Sequence, residues 1–390
     1  MTFNAFKKVF VACTLALGTT TTALSDTRGV SEDEIIIGTH LDLSGPVAAA
    51  MPPLVAGIQT RLQEINEAGG IHGRKLRLLI EDNAYQPKQA VRAVQKMVTK
   101  DQAFLIFSPF GTGTSAAGYA FAQKFGVPHV FPWSGVPAIF HPKGTEGSFT
   151  YVEDYAWATG AGVDWIIKDK GFKRIGVLYQ DDAFGKLVLA GVDEALKSNG
   201  LTLVESAGYK PGDVDFSAQI AKLKAADVDL VVLGTVIRET IGAYSSIRKV
   251  GWGVDVITTI PGRSQVVPLL GKSAMDGLYG VGQWNIPGTG NDSAAAQTWL
   301  AKFNEANPGV PAENAAIAYL MTDWLVQALE AAGPNLTVES FNTAFEGSKY
   351  QDIFGSPELT MTNGHISPEV ASVWKVDGLG WVKVSDDITN

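Results

Sequence analysis

Phe104-Leu-Ile-Phe-Ser-Pro-Phe-Gly-Thr-Gly-Thr-Ser-Ala-Ala-Gly118 decides the fold. Four apolar residues, Phe104 to Phe107, read as a buried strand. Pro109, Gly111 and Gly113 break the run, and an alanine-rich helical pattern then continues through Gln123. Strand, small-residue loop and helix in that order are the unit of a parallel α/β sheet. The junction leaves backbone N–H groups and the short hydroxyls of Thr112 and Thr114 at a helix N-terminus, a ready site for an anion.

The same alternation runs along the chain. Strands are expected at Ile35–Leu41, Leu76–Glu81, Phe104–Phe107 and Val127–Phe131, with helices at Val55–Ala68, from Pro87 to about Lys100, and at Ser115–Phe125. After Tyr151 the rhythm restarts. Helices at Trp157–Lys170, Phe184–Asn199, Phe216–Ala226 and Glu239–Val250 alternate with strands at Arg174–Tyr179, Leu201–Tyr209, Asp229–Gly234 and Val254–Ile260. Beyond about Gln283 the pattern is mainly helical (Ala294–Asn307, Glu313–Ala332) and ends in short strands near Glu358–Met361 and Ala371–Val376. Two α/β series in one chain predict two lobes. Open parallel sheets bind ligands at the carboxyl ends of their strands. The loops to watch are therefore 42–50, 108–114, 131–136, 179–184, 235–238 and 260–264.

The first residues read as an export signal. Lys7 and Lys8 precede the apolar run Val9–Gly18, and Ala23-Leu-Ser25 offers a small-x-small cleavage site before Asp26. No segment reaches about 18 uninterrupted apolar residues, the length that crosses a bilayer. Cys13 is the single cysteine and leaves with the signal, so no disulfide, thiol nucleophile or thiolate metal site is expected. The formal charge of −9 becomes −11 once Lys7 and Lys8 are removed, which argues against nucleic acid or an anionic membrane as partner.

Catalytic readings fail on missing partners. Gly111-x-Gly113-x-x-Ala116 lacks the acid that a dinucleotide fingerprint needs after the next strand, where Pro132-Trp-Ser134 stands. Gly113-Thr-Ser115-Ala-Ala117 misses the last glycine of a nucleophile elbow. His40, His72, His129, His141 and His365 form no HExxH or close pair, so no metal is expected. Asp181 and Asp182 follow a strand, and helix capping is the expected role of Asp182. Trp133, Phe110 and Phe184 fall at strand-end loops as core lids or ligand walls. Arg238 and Arg263 fall at strand ends too, solvated or turned to a carboxylate.

Longer stretches carry a family resemblance. Ile36-Ile-Gly-Thr-His-Leu-Asp-Leu-Ser44-Gly-Pro46 and Glu64-Ile-Asn-Glu-Ala-Gly69-Gly-Ile-His-Gly73-Arg-Lys-Leu resemble the opening strand and the INxAGGIxGxKL segment of periplasmic solute-binding proteins of the branched-chain amino acid class. Tyr179-Gln-Asp-Asp-Ala-Phe-Gly185, Asp215-Phe216, Asp227-x-Asp229, Gly355-Ser-Pro357 and Asn363-Gly-His365 continue the match. The resemblance implies two Rossmann-like α/β lobes joined by three hinge crossings. Residues 30–150 with 284–356 would form lobe 1, and 151–283 with 357–390 lobe 2. It further implies a monomer in the periplasm, cut near Ser25, that needs no cofactor, catalyses nothing and delivers a small ligand to the inner-membrane permease of an ABC importer. A sensor on the same fold is the alternative role.

Carried over residue by residue, the resemblance places ligand at Thr112, Gly113, Thr114, Trp133, Ser134, Gly135, Phe184, Val236, Arg263 and Tyr319. Apolar Ile260 falls where the family has the acid that neutralises an α-amine, and Val236 where it has an aromatic. A buried ammonium without a carboxylate partner costs several kcal/mol. The expected ligand is therefore a carboxylate with an apolar or aromatic body. A small shift of alignment brings in Glu239 or Asp255, which keeps branched-chain amino acids as the second candidate.

Overall fold

The computed structural model describes residues 27–141, 147–289 and 292–390. The expected signal segment, its cleavage site and Cys13 lie outside the described residues.

Two main sheets face each other across a cleft. The first contains β1 (Glu34–Leu41), β2 (Lys75–Asp82), β3 (Leu105–Phe107), β4 (His129–Val130) and β5 (Ser148–Phe149). They run parallel in the order β2-β1-β3-β4-β5. Its connecting helices are α1 (Met51–Glu67), α2 (Pro87–Thr99), α3 (Thr112–Ala122) and the short α4 (Pro137–Phe140). The second lobe supplies α5 (Tyr155–Lys170), β6 (Ile175–Gln180), α6 (Ala183–Ser198), β7 (Glu205–Tyr209), α7 (Ser217–Ala225), β8 (Leu230–Gly234), α8 (Ile237–Lys249), β9 (Asp255–Thr258), α9 (Val266–Gly271) and β10 (Tyr279–Gly282). There β7, β6, β8, β9 and β10 are parallel neighbours. Leu230 to Leu233 are at most 1% exposed, as expected of a strand covered on both faces.

The chain then returns to the first lobe through α10 (Ala294–Ala306), α11 (Ala312–Ala331) and α12 (Val338–Phe345). A small antiparallel sheet follows, made of β11 (Lys349–Tyr350), β12 (Leu359–Thr362) and β13 (His365–Ser367). The chain ends back on the second sheet with β14 (Val370–Asp377), β15 (Gly380–Lys383) and β16 (Ile388–Thr389), all antiparallel additions.

Local chemistry explains these elements. On α1, Leu54, Ile58, Leu62 and Ile65 recur at helical spacing and are buried. The helix stops at Gly69 and Gly70, both at positive φ, and a Cβ on Gly70 would meet Arg74 O at 2.0 Å. Gly57 lets α1 touch α11, since its Cβ would stand 2.1 Å from Ala315 O. Asp182 caps α6, accepting from the Phe184 and Gly185 N–H groups, the role expected of it.

Two differences from expectation have clear causes. The strand β10, Tyr-Gly-Val-Gly, has too few β-branched residues to announce itself. Its glycines make room for an arginine: a Cβ on Gly280 would meet Arg263 Cγ at 2.8 Å, and one on Gly282 would meet Arg263 Nε at 2.5 Å. The expected break at 356/357 separates β11 from β12, which are hydrogen-bonded neighbours. Thr150 N also donates to Gly364 O at 2.8 Å, so the last crossing falls after Ser367 instead.

The crossings near 150–154, 283 and 367–370 are tied to one another. Gln283 Nε2 donates to Tyr151 O at 2.8 Å, and Glu153 N donates to Gln283 Oε1 at 3.1 Å. Val370 N donates to Glu153 Oε1 at 2.9 Å, and Asp154 N to Glu369 Oε1 at 3.0 Å. No helix among the described residues is long and apolar enough to cross a membrane.

Candidate functional site

Between the two sheets lies a cleft with about 550 Å³ of space. Five of the six strand-end loops feed it: Val47 and Ala50, Phe110, Trp133, Val236 (with Ile237 beside it), and Ile260, Pro261 and Ser264. The crossings add Val152, Tyr155 and Trp284, and the start of α11 adds Glu313 and Asn314. The walls are thus aromatic and aliphatic, with a small polar end.

The aromatic wall is held by its own contacts. Trp133 Nε1 donates to Ser108 Oγ at 2.6 Å, which uses up its polar handle. Its ring stacks on Phe110 at 6.1 Å and meets Trp284 edge-on at 6.2 Å. A planar ligand entering here meets rigid ring faces.

The polar end is built around a buried ion pair that spans the lobes. Arg263 (1% exposed) donates through Nη1 to Glu313 Oε1 (2% exposed). Its Nη2 donates to Trp284 O at 3.2 Å, and its guanidinium stands 5.1 Å from the Trp374 ring. Burial lowers the Arg263 pKa, and the Glu313 charge opposes that shift. Glu313 also accepts from Trp284 Nε1 and from the Gln265 N–H. The one acid among the lining residues is therefore neutralised and fully engaged.

The remaining expected residues fall in several places. Thr112, Thr114 and Ser134 are buried, at 4%, 3% and 0% exposed, and bond inward. Thr114 Oγ1 donates to Phe110 O and Gly111 O, and Ser134 Oγ donates to Thr112 Oγ1 at 3.1 Å. Gly113 sits under Pro87, and Gly135 is pressed against Glu153 O. Phe184 stands behind the wall, edge-on to Tyr155 at 5.2 Å. Arg263 turns back beneath Trp374 instead of solvating or facing the cleft directly.

Tyr319 is a correction. Its hydroxyl donates to Glu64 Oε2 at 2.8 Å and its ring lies against Arg61 and Trp299, away from the cleft. Five residues separate it from Asn314, about 140° around a helix, so both cannot face one cavity.

The two alternative acids also have definite places. Asp255 opens β9, at the end of the strand remote from the cleft. Glu239 is buried, accepts from Arg238 Nη2 at 3.0 Å and leaves Oε2 unpartnered, and burial raises its pKa. It does not line the cleft. At the crossings, the potential ligand atoms of Glu153, His365 and Glu369 lie within 4.8 Å of one another. All three are engaged in hinge bonds, His365 Nε2 facing Glu369 Oε1 at 3.1 Å.

Sequence reasoning missed Asn314, Glu313, Trp284 and Tyr155. The only local signal for the first two is Pro311-Ala-Glu-Asn314 at a helix start, with no Ser, Thr or Asp to cap it.

Residues 34–376 match the family model described as periplasmic binding protein. The chain belongs to the periplasmic binding protein family. Members of this family are binding proteins and not enzymes. A Leu/Ile/Val-binding protein homolog 3 of Brucella melitensis is 31% identical over 201 residues, and the chain spans 54% of its length. BraC3, a Leu/Ile/Val-binding protein of Rhizobium johnstonii, is 28% identical over 81% of this chain and 84% of its own. Among solved structures, a solute-binding protein from R. palustris in complex with benzoate has a TM-score of 0.82 at 17% identity, covering 92% of this chain and 98% of its own. LivJ from Streptococcus pneumoniae in complex with isoleucine has 0.79 at 21% identity, covering 92% and 100%. Both share the two-lobed fold.

Proposed function

We propose that this chain is an exported, monomeric receptor that closes on a small carboxylate with an apolar or aromatic body and hands it to an ABC permease. The observation that carries this reading is the cleft wall. Phe110, Trp133, Tyr155 and Trp284 enclose the space, and its one lining acid, Glu313, is already paired with Arg263. An ammonium placed there would add an uncompensated buried charge, which costs several kcal/mol. A carboxylate meets the Asn314 amide and the Ser264 hydroxyl as donors, beside a Glu313 already neutralised by Arg263. Lobe closure around ligand is the signal a permease would read.

The benzoate complex of a structural neighbour supports the aromatic reading, and the isoleucine complex of another supports the second one. Branched-chain amino acids are the second candidate on the likeness to Leu/Ile/Val-binding proteins, although Glu239 is buried outside the cleft lining. Thermal unfolding of the mature protein separates the two, since a ligand of the native state raises the midpoint by mass action. The midpoint is expected to rise with benzoate, 4-hydroxybenzoate or cinnamate and to stay put with leucine, isoleucine, valine and phenylalanine. A rise only with the amino acids overturns the aromatic-carboxylate reading.

A further inference from the structure

Among the helices that begin at or beside the cleft, α3 and α11 differ in what covers their first turns. The start of α3 is closed. A Cβ on Gly111 would lie 2.8 Å from the Tyr85 ring, and one on Gly113 would lie 3.6 Å from Pro87 Cγ. Thr114 and Ser115 spend their hydroxyls on the carbonyls of Phe110, Gly111 and Pro109. Of this loop only Phe110 reaches the cleft.

The start of α11 is open. Pro311 precedes it and offers no side-chain cap. Glu313 N is taken by Gln265 Oε1 at 3.2 Å. The Asn314 N–H in the same turn has no intrahelical acceptor, as for any residue of a first helical turn. Asn314 is 8% exposed, lines the cleft, and its side-chain amide makes no hydrogen bond among the described residues. The Asn314 side-chain oxygen and nitrogen are open to the cleft rather than sealed, so a ligand oxygen on Nδ2 takes the place of water. Ser264, across the cleft, accepts from Val266 N at 3.3 Å and keeps its own hydroxyl proton to donate.

Resting on the reading above, we infer that the ligand carboxylate docks at the N-terminus of α11, on the Asn314 side-chain and backbone N–H groups with the Ser264 hydroxyl, and not at α3. The aromatic body then lies against Trp133 and Trp284. Glu313, one residue before Asn314, does not repel it, because its charge is spent on Arg263. The positive end of the helix favours the anion. The ligand also bridges the lobes, since α11 packs on α1 in the first and Ser264 belongs to the second.

Titration calorimetry with benzoate on the full mature chain tests this. Asn314→Ala is expected to weaken binding about 10- to 100-fold, the worth of a hydrogen bond to a charged group. Asn314→Asp is expected to abolish benzoate binding and to admit benzylamine, the charge-reversed probe. Ligand-free unfolding midpoints near wild type show that both variants fold, and benzylamine uptake shows the same for Asn314→Asp. Wild-type affinity in both variants, with binding lost in Ser134→Ala or Thr112→Val, overturns the inference and leaves the receptor reading standing. No benzoate, 4-hydroxybenzoate or cinnamate binding to wild type overturns both.

Discussion

The N-termini of α3 and α11 both present first-turn N–H groups, one behind Gly111 at positive φ and one behind extended Pro311, and they behave oppositely in chemistry. At α3 the sequence is rich in small residues and hydroxyls, yet Tyr85 and Pro87 cover the turn and the hydroxyls bond to nearby carbonyls and to one another. At α11 the turn is Ala-Glu-Asn, ordinary by composition, yet it opens on the cleft with an amide unspent. A polar side chain near a helix start signals a site only when nothing local satisfies it. Small residues mark where a backbone packs closely, not where a ligand sits.

The contrast breaks most visibly at the ion pair beside α11. Arg263→Ala leaves Glu313 buried without its partner and is expected to cost about 3–5 kcal/mol. Urea unfolding would show this as a lower midpoint at unchanged slope. A loss under about 1 kcal/mol means that water reaches Glu313 and that the pair is not sealed.

Acid should act on the α3 side first. His40 Nε2 packs beneath α3 at Gly118, and the His129 ring lies 5.2 Å from Tyr119 on the same helix. Burial pushes the pKa of His40 down to about 3, that of His141 down to about 4 and that of His129 well below the usual 6.5. The unfolded chain takes up these protons near pH 6.5 while the fold refuses them. Stability is therefore full above that pH and drains as pH falls toward 4. For His40 alone the expected loss is about 3 kcal/mol by pH 4, at roughly 1.4 kcal/mol for each pH step below the unfolded value. Native-state hydrogen exchange should show α3 loosening before α11; equal loosening of both would blunt the comparison.

Smaller effects separate wall from loop. Trp133→Ala removes a ring face from the cleft and is expected to weaken benzoate about 30-fold, near 2 kcal/mol, while weakening acetate little. Equal losses for the two would take Trp133 out of the ligand wall. Thr114→Ala is expected to cost about 1 kcal/mol of stability through its lost carbonyl bonds, with benzoate affinity within about twofold of wild type. A tenfold drop in affinity would reopen the α3 turn as the anion site.

Much of this was legible because a parallel sheet makes one promise: loops after its strands converge. That rule placed Phe110, Trp133, Val236 and Ile260 near the cleft from spacing alone. It does not say which way a side chain turns. Arg263 sits where expected along the chain, but a long flexible side chain goes where its charge is met, and Glu313 lies 50 residues away in sequence. Tyr319 fails by helical phase, facing Glu64 instead of the cavity. Asn314 was invisible because its position depends on α11 docking against α1 at Gly57, a contact between residues more than 250 positions apart. The strand β10 was missed because its glycines serve the arginine packed on them and not the strand.

The most direct test is amide NMR of the mature protein titrated with benzoate. The backbone and side-chain amide protons of Asn314 are expected to move downfield as they bond the carboxylate, with Gly113 and Thr114 nearly still. Large downfield shifts at Gly113 and Thr114 with Asn314 unmoved would contradict the assignment of the anion end to α11.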